Sequence, residues 1–535
     1  MTAVPLAPPD APRPRVIVVP GWARLAAALA VPATVIGAVL YTNVQLNTMP
    51  LLPAIGIVLL AAAGLLLANR PRLLVLLPLI AAYLPSPQVG FAAYIISLGY
   101  VVVEFGGVRL ATPLDRIDWS LLAVLGWSVL SWAANLGEQT DTWSLVLFTI
   151  TFLSPWLLLF FARVAPWETR DLRAIMVAWL GLAAVQAVPA LIKPILMGEP
   201  GAYSVPLLAF ELTGAGLLRN LMPSTSADLT TGTMMSAHHL GSALLLLCVL
   251  LVSYWIIVRD RRVALLAVLF GYVFLMTDSK HLVLGAVPGV VWYLAVVVWP
   301  RFSRSTRRRV NVAVTLGTIV VGTYVARAVT AAVSELWQPY LVLASVNPKA
   351  QLFSRTAELL GQNSLETWIG YGPGAFGSRA ASIRATDVLY KEENRLPSFV
   401  PPHTAPAYAS VAYDLYTSEI LATVKFKSAA LTNPFSSLIG VVAEYGLIGT
   451  VVLGTFFIIV AGAAFRAWSI TALAPEWRAA AATAGFAIPY LMGISPFDTY
   501  FEQPDVTAPI IMLLLVGLAS ARAVGPTTSG ELGGG

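Results

Sequence analysis

Long apolar runs separated by short polar breaks set the pattern of this chain. The runs fall at residues 20–41, 50–69, 72–84, 90–104, 118–134, 143–163, 171–192, 238–258, 262–276, 280–299, 310–333, 435–463, 478–494 and 506–523. Most reach or approach the roughly 20 apolar residues that carry a helix across a bilayer, and 72–84 and 90–104 are the short ones. A backbone in lipid must satisfy its polar groups internally, so unbroken runs of this length predict helices. The expected fold class is an all-α polytopic membrane protein with about fourteen (12–14) transmembrane helices.

One polar stretch, Glu335 to Asn433, breaks the rhythm for about 100 residues. Loops beyond roughly 12–15 residues without regular structure are uncommon and often functional. The expected organisation is a Pro-rich disordered cytoplasmic N-terminus at 1–19, a transmembrane bundle at 20–334, and a large extracytoplasmic loop at 335–433. C-terminal transmembrane helices at 434–523 and a Gly/Ser-rich disordered cytoplasmic tail at 524–535 complete it. Within the loop, Thr356–Leu360 and Ser418–Val424 lack Gly and Pro, which predicts short helices packed over the mouth of the bundle.

Composition agrees with the membrane reading: 58% of residues are hydrophobic and 11% charged, against roughly 25% charged in a soluble domain. The net charge of +6 is explained by loops on one side of a membrane, and no nucleic-acid partner is expected. The single cysteine, Cys248, excludes an intramolecular disulfide and a thiolate metal cluster. The loop charges also predict orientation. Arg70 and Arg72, Arg109 and Arg116, Arg163 to Arg173, Arg259 to Arg262, Arg301 to Arg309, and Arg466 and Arg478 fall in alternate loops. The intervening short loops hold almost no base. Basic loops stay in the cytoplasm, so both termini are expected there, in a multi-pass membrane protein. Four polar regions would then share the outer face: 193–237, Thr277–His281, the long loop and 495–505.

Candidate chemistry lies in those regions. Lys280 sits where two apolar runs meet; it is either a snorkelling anchor or an ammonium facing a lipid-linked diphosphate. His238 and His239 open a span, but adjacent helical side chains diverge and no acid or cysteine stands nearby in sequence, so no metal is expected. Arg355 and Arg379 flank the turn Gly370-Tyr371-Gly372-Pro373-Gly374. A guanidinium grips phosphate oxygens in a fork, and Gly370, Gly372 and Gly374 permit close approach of backbone to a ligand. The same turn is also a sufficient way to return the chain to the membrane, and no Gly-Lys-Ser/Thr follows to make it a Walker loop. His403 is the one histidine of the loop and titrates near neutral pH; a solvated surface role is the plainer alternative.

Several of these stretches together resemble the O-antigen ligase and O-antigen polymerase superfamily of bacterial envelope glycosyltransferases. Phe353-Ser354-Arg355 followed by Trp368-Ile369-Gly370-Tyr371-Gly372-Pro373-Gly374-Ala375-Phe376 is similar to the family's loop arginine and its G-x-G-x-G-x-F turn. Asn433-Pro434-Phe435, then Ala443-Glu444-Tyr445-Gly446-Leu447-Ile448-Gly449, resembles the family's H-N pair and the E-x-G-h-h-G that opens the span after the loop. Thr277-Asp278-Ser279-Lys280 resembles its S-R at the outer end of a span, and Gly232-Thr233-Met234 with His238-His239-Leu240-Gly241 resembles the segment before its seventh or eighth helix. The matches run in order from about residue 230 to 463. Lys280 stands where the family usually has arginine, and Thr432 where ligases commonly have histidine, which favours the polymerase branch.

The resemblance implies transfer of a glycan from polyprenyl diphosphate to a sugar hydroxyl, on the outer face of the cytoplasmic membrane, without metal or other cofactor. The implied partners are a lipid-linked oligosaccharide donor, a glycan acceptor and a chain-length regulator. Arg355, Lys280 and Arg379 would face the diphosphate, and His403, Glu358 or Glu366 would act as base. Gly370, Gly372, Gly374, Asn433 and His238 would line the substrate site. The competing reading is a flippase of lipid-linked glycans, which would carry charged residues near mid-span and paired repeats.

Overall fold

The computed structural model describes residues 51–67, 70–84, 87–196, 234, 237–277, 279–301, 348–385, 400–412, 415 and 436–524. The expected spans 20–41 and 310–333, the termini at 1–19 and 525–535, Ser418–Val424 and Asn433 lie outside the described residues. Among those described the fold is helical, with no named strand and one isolated bridge between Leu136 and Thr140. Among the described residues eight helices are long and apolar enough to cross a membrane: Val89–Ala111, Arg116–Ala134, Thr142–Ala162, Thr169–Val188, Ala237–Val258, His281–Val298, Ser437–Ser469 and Pro504–Val524. Shorter apolar helices are Gly56–Leu66 and Pro71–Ala82. The short run near 72–84 is an internal helix, buried throughout Leu73–Leu84, so it has no lipid-facing side. The run near 90–104 belongs to a longer helix, Pro87–Ala111, because Glu104 and Arg109 near its end are tolerated without breaking it.

Local chemistry explains where the helices begin. Asp115 and Asp118 form a capping box ahead of Arg116–Ala134, and Asp141 and Ser144 form another ahead of Thr142. Helices at Pro87, Pro348, Pro406, Pro475 and Pro504 open on proline, whose missing N–H would be unpaired there in any case. The Pro504–Val524 helix is the centre of the bundle, with 78% of its apolar window buried, more than any other span.

The charges sort to the two ends. At one end Arg70 and Arg72 meet Asp171, Arg163 meets Asp115 and Asp118, Arg109 meets Asp118, and Arg173 meets Glu476. This end holds Arg70, Arg72, Arg109, Arg163 and Arg173 from three of the basic loops that the charge alternation groups together. The other end gathers the 135–141 turn, the start of Ala237–Val258, Thr277–His281, the 348–385 segment and 495–505.

Among the described residues of the long polar stretch four short helices stand at Pro348–Gln362, Ser364–Ile369, Arg379–Arg384 and Pro406–Ala412. They share a small apolar core with the start of the Ser437–Ser469 helix, built on Leu352, Tyr371, Phe376, Tyr408 and Ile439. The Ser437–Ser469 helix is broken at Gly446, which has φ 64° and ψ −172°. Three carbonyls freed or exposed by the break find donors from elsewhere. Ala443 O accepts from Tyr371 N at 2.8 Å, Glu444 O from Gly372 N at 3.0 Å and Ser131 Oγ at 3.1 Å, and Tyr445 O from Trp127 Nε1 at 2.9 Å. A Cβ on Gly446 would lie 2.5 Å from the backbone of Trp368 and Gly370, and its φ suits glycine alone. Gly446→Ala is therefore expected to displace the whole 368–378 turn. A fall in melting temperature of several degrees, measured in detergent, would check this.

Candidate functional site

The Gly370–Ser378 turn is a cradle for a carboxylate. Gly370, Gly372 and Gly374 all have positive φ, at 77°, 92° and 76°. Their conformation turns successive backbone N–H groups inward. Gly374 N donates to Glu444 Oε2, and Phe376 N and Ser378 N donate to Glu444 Oε1, each at 2.9 Å. The close backbone approach expected of this turn is thus made to the protein's own Glu444, which is 1% exposed. Gly372 packs against Thr140, and Gly374 against Ser144 O. The polar groups of the turn are consumed in fastening the long polar stretch to the bundle.

A second carboxylate lies beside the first. Glu502 Oε1 accepts from Thr151 Oγ1 at 3.1 Å, and Oε2 accepts from Arg379 N at 2.6 Å. Thr151 belongs to a π-helical turn at Thr149–Leu153, a local widening often found at functional positions. Phe148, Phe152, Ser378, Ser437, Gly440, Glu444 and Glu502 line a cavity of about 10 Å³, the space one water needs. Burial, and then the charge of Glu444, push the Glu502 carboxyl up to about 8. Two carboxylates with one cavity between them cannot both be ionised cheaply.

The third group is a cluster of histidines. The chain has four, and three converge from two helices. The rings of His238 and His239 are 4.9 Å apart, and that of His281 is 5.4 Å from His238. His238 Nε2 lies 3.9 Å from Asp498 Oδ2, whereas His239 Nδ1 pairs with Asp505. The two neighbours diverge to different carboxylates, as their spacing predicts. His281 Nε2 is 2.6 Å from Tyr500 Oη, and the two rings stack. Lys349, 7% exposed, reaches over from the Pro348–Gln362 helix to donate to Phe497 O. Burial lowers the Lys349 ammonium to about 8, with Asp498 opposing the shift. Among the described residues no group of three or more His, Cys, Asp or Glu has a geometry that could hold a metal.

The remaining expected site residues are placed as follows. Arg355 is half-buried; its guanidinium donates to Val411 O at 3.2 Å and reaches Gln351 Oε1 at 3.5 Å. It stands on the same helix as Lys349, about 9 Å further along the axis. The Arg379 guanidinium rests 5.4 Å from the centre of the Phe91 ring. Lys280 opens the Lys280–Tyr293 helix beside His281, with its side chain outside the described part. His403 Nε2 meets Gln139 O at 3.2 Å, and its backbone N donates to Arg384 O at 3.2 Å, so it fastens 400–405 to the bundle. Next to it, Arg384 pairs with Asp141 and donates to Ser144 Oγ at 2.9 Å and Pro401 O at 3.0 Å. Burial alone would raise Asp141, but the Arg384 bonds and the Ser144 N–H hold it down at about 2. Asn433 lies outside the described residues.

Sequence reasoning missed Glu444 and Lys349 as polar anchors, and Glu502 and His281 as members of ordered pairs. The one available signal was Glu444 itself, an acid inside an apolar run, which marks a residue with a partner or a function. No model of a known protein family matches the chain, and no curated protein is significantly similar to it.

Proposed function

We propose that this chain is a membrane glycosyltransferase. It polymerises, in preference to ligating, polyprenyl-diphosphate-linked glycans on the outer face of a bacterial cytoplasmic membrane. The observation that supports this most is the gathering of 348–385, Lys280–His281 and 495–503 at one end of the bundle. Cations and proton-accepting groups are thereby collected beside the end of the apolar spans, where the diphosphate of a lipid-linked substrate sits. The bundle offers the polyprenyl chain an apolar surface, and no metal is required because the diphosphate is already a good leaving group. A flippase would concentrate such groups at mid-span instead.

On this reading Arg355 and Lys280 hold the donor diphosphate, with Arg379 at the far side of the turn. Negative charge grows on the diphosphate as it leaves, so each cation stabilises the transition state more than the ground state. Arg355→Ala and Lys280→Ala are each expected to lower polymer formation on the order of 10²–10³-fold with expression unchanged, by analogy with loss of one oxyanion-hole donor. Lys280→Arg keeps the charge and should be tolerated. The assay is glycan chain length made from purified polyprenyl-diphosphate-linked substrate by each variant in lipid nanodiscs. Wild-type ladders from both alanine variants would remove these residues from the site. Transbilayer movement of the substrate by the wild type, with no elongation, would favour the flippase.

The reading includes about fourteen spans, both termini in the cytoplasm and the 335–433 stretch outside. On a Cys248→Ser background, a cysteine at position 390 should react with an impermeant maleimide from outside, and one at 261 only after permeabilisation. The reverse pattern would invert the topology and place the proposed site in the cytoplasm.

A further inference from the structure

We propose that His281 is the base that takes the acceptor hydroxyl proton, an assignment that rests on the transferase reading. Three observations carry it. His281 is bonded through Nε2 to Tyr500 Oη at 2.6 Å, and its ring stacks on the Tyr500 ring, so its orientation is fixed. Its neighbours His238, His239, Asp498, Asp505 and Lys349 are all nearly buried, whereas His281 keeps an accessible side. A base must be reached by its substrate, so His281 is the histidine of the cluster that qualifies. Finally, it adjoins Lys280 on the first turn of one helix. The cation proposed for the leaving diphosphate and the base would then be carried by one helix start, on adjacent positions whose side chains diverge.

The groups that face the imidazole come from three elements. His238 and His239 belong to Ala237–Val258, Lys349 to Pro348–Gln362, and Phe497, Asp498 and Tyr500 to the turn before Pro504–Val524. Two carboxylates face the histidines: Asp498, 3.9 Å from His238 Nε2, and Asp505, paired with His239 Nδ1. In the tautomer that the proposal requires, Nε2–H donates to the Tyr500 oxygen and the lone pair lies on Nδ1. The acceptor O–H gives its proton to Nδ1 while its oxygen forms a bond to the anomeric carbon of the donor sugar. The bond from that carbon to the diphosphate oxygen breaks, and the electron pair leaves on the diphosphate. Asp498 lies within the cluster that receives the resulting imidazolium charge. His403, engaged with Gln139 O, keeps a fastening role.

The test uses the full chain in nanodiscs with polyprenyl-diphosphate-linked glycan extracted from membranes of cells that carry it. His281→Gln retains a hydrogen-bonding amide and should lower kcat on the order of 10²–10⁴-fold, with the donor KM little changed. Tyr500→Phe removes the oxygen at Nε2 and should move the acidic limb of the pH–rate profile while leaving turnover measurable. His281→Gln turnover within threefold of wild type would overturn the assignment, and so would a Tyr500→Phe profile superimposed on wild type. The second variant decides if the first does not fold, as judged by thermal unfolding in detergent. A wild type inactive on every such donor would defeat the transferase reading and the base with it. An active wild type with an indifferent His281→Gln defeats the base alone.

Discussion

Glu444→Ala is expected to destabilise the protein by on the order of 3–5 kcal/mol and to free the 370–385 segment. The carboxylate accepts three backbone N–H bonds in a site that is 1% exposed. Removing it leaves those donors buried without partners, and each such group costs roughly 1–3 kcal/mol. Glu444→Gln tests whether shape alone suffices. Its single oxygen serves one side of the cradle, while its NH₂ faces an N–H on the other, so it should recover part of the loss. Thermal unfolding in detergent, with limited proteolysis between 370 and 385, reads both effects. If both variants melt and resist protease as the wild type does, the cradle does not hold the segment.

The second large effect is on pH dependence. The Glu502 carboxyl is held near about 8 in the fold against an ordinary value of 4.5. Between those values the folded protein keeps a proton that the unfolded chain has released. Stability from this group is thus fully present below pH about 4.5 and is lost as pH rises through about 8, with a slope of at most about 1.4 kcal/mol per unit. Glu502→Gln should flatten that slope and leave the variant the more stable of the two at pH 8. The neutral amide fits because its oxygen accepts from Arg379 N while its NH₂ donates to Thr151 Oγ1. Melting curves from pH 5 to 8.5 decide it: parallel wild-type and variant profiles would show that Glu502 carries no extra proton.

The helical class and the grouping of several basic loops could be read from the sequence because both depend on local patterns; of the about fourteen spans expected, eight helices among the described residues are long and apolar enough to cross a membrane. Apolar length predicts a helix, and the alternation of basic loops predicts which helix ends meet. Arg70, Arg163 and Arg173 duly share one end through Asp171, Asp115 and Glu476. The glycine turn was visible, but not its partner, since Glu444 lies 70 positions from Gly374 and no local rule connects them. The same holds for the histidines. His238 and His239 read as a polar helix start, and only the packing of three elements brings His281, Asp498 and Lys349 to them. Arg355 was singled out on the Pro348–Gln362 helix, but Lys349, six residues earlier, is the residue buried against the Phe497 carbonyl. An isolated lysine in a polar stretch gives no sign of this.

The break at Gly446 separates what membrane insertion recognises from what later folding completes. A straight helix over Ser437–Ser469 would be roughly 50 Å long, well beyond a hydrocarbon core of about 30 Å. The apolar part after Gly446 is long enough to be inserted on its own hydrophobicity as the chain is made. The part before it carries Glu444, whose donors are supplied by residues 374–378. That first part is therefore completed only when the preceding polar stretch docks, so assembly of this end must follow integration of the span. Slowing synthesis between 385 and 436 would delay the docking step without altering which segments enter the bilayer.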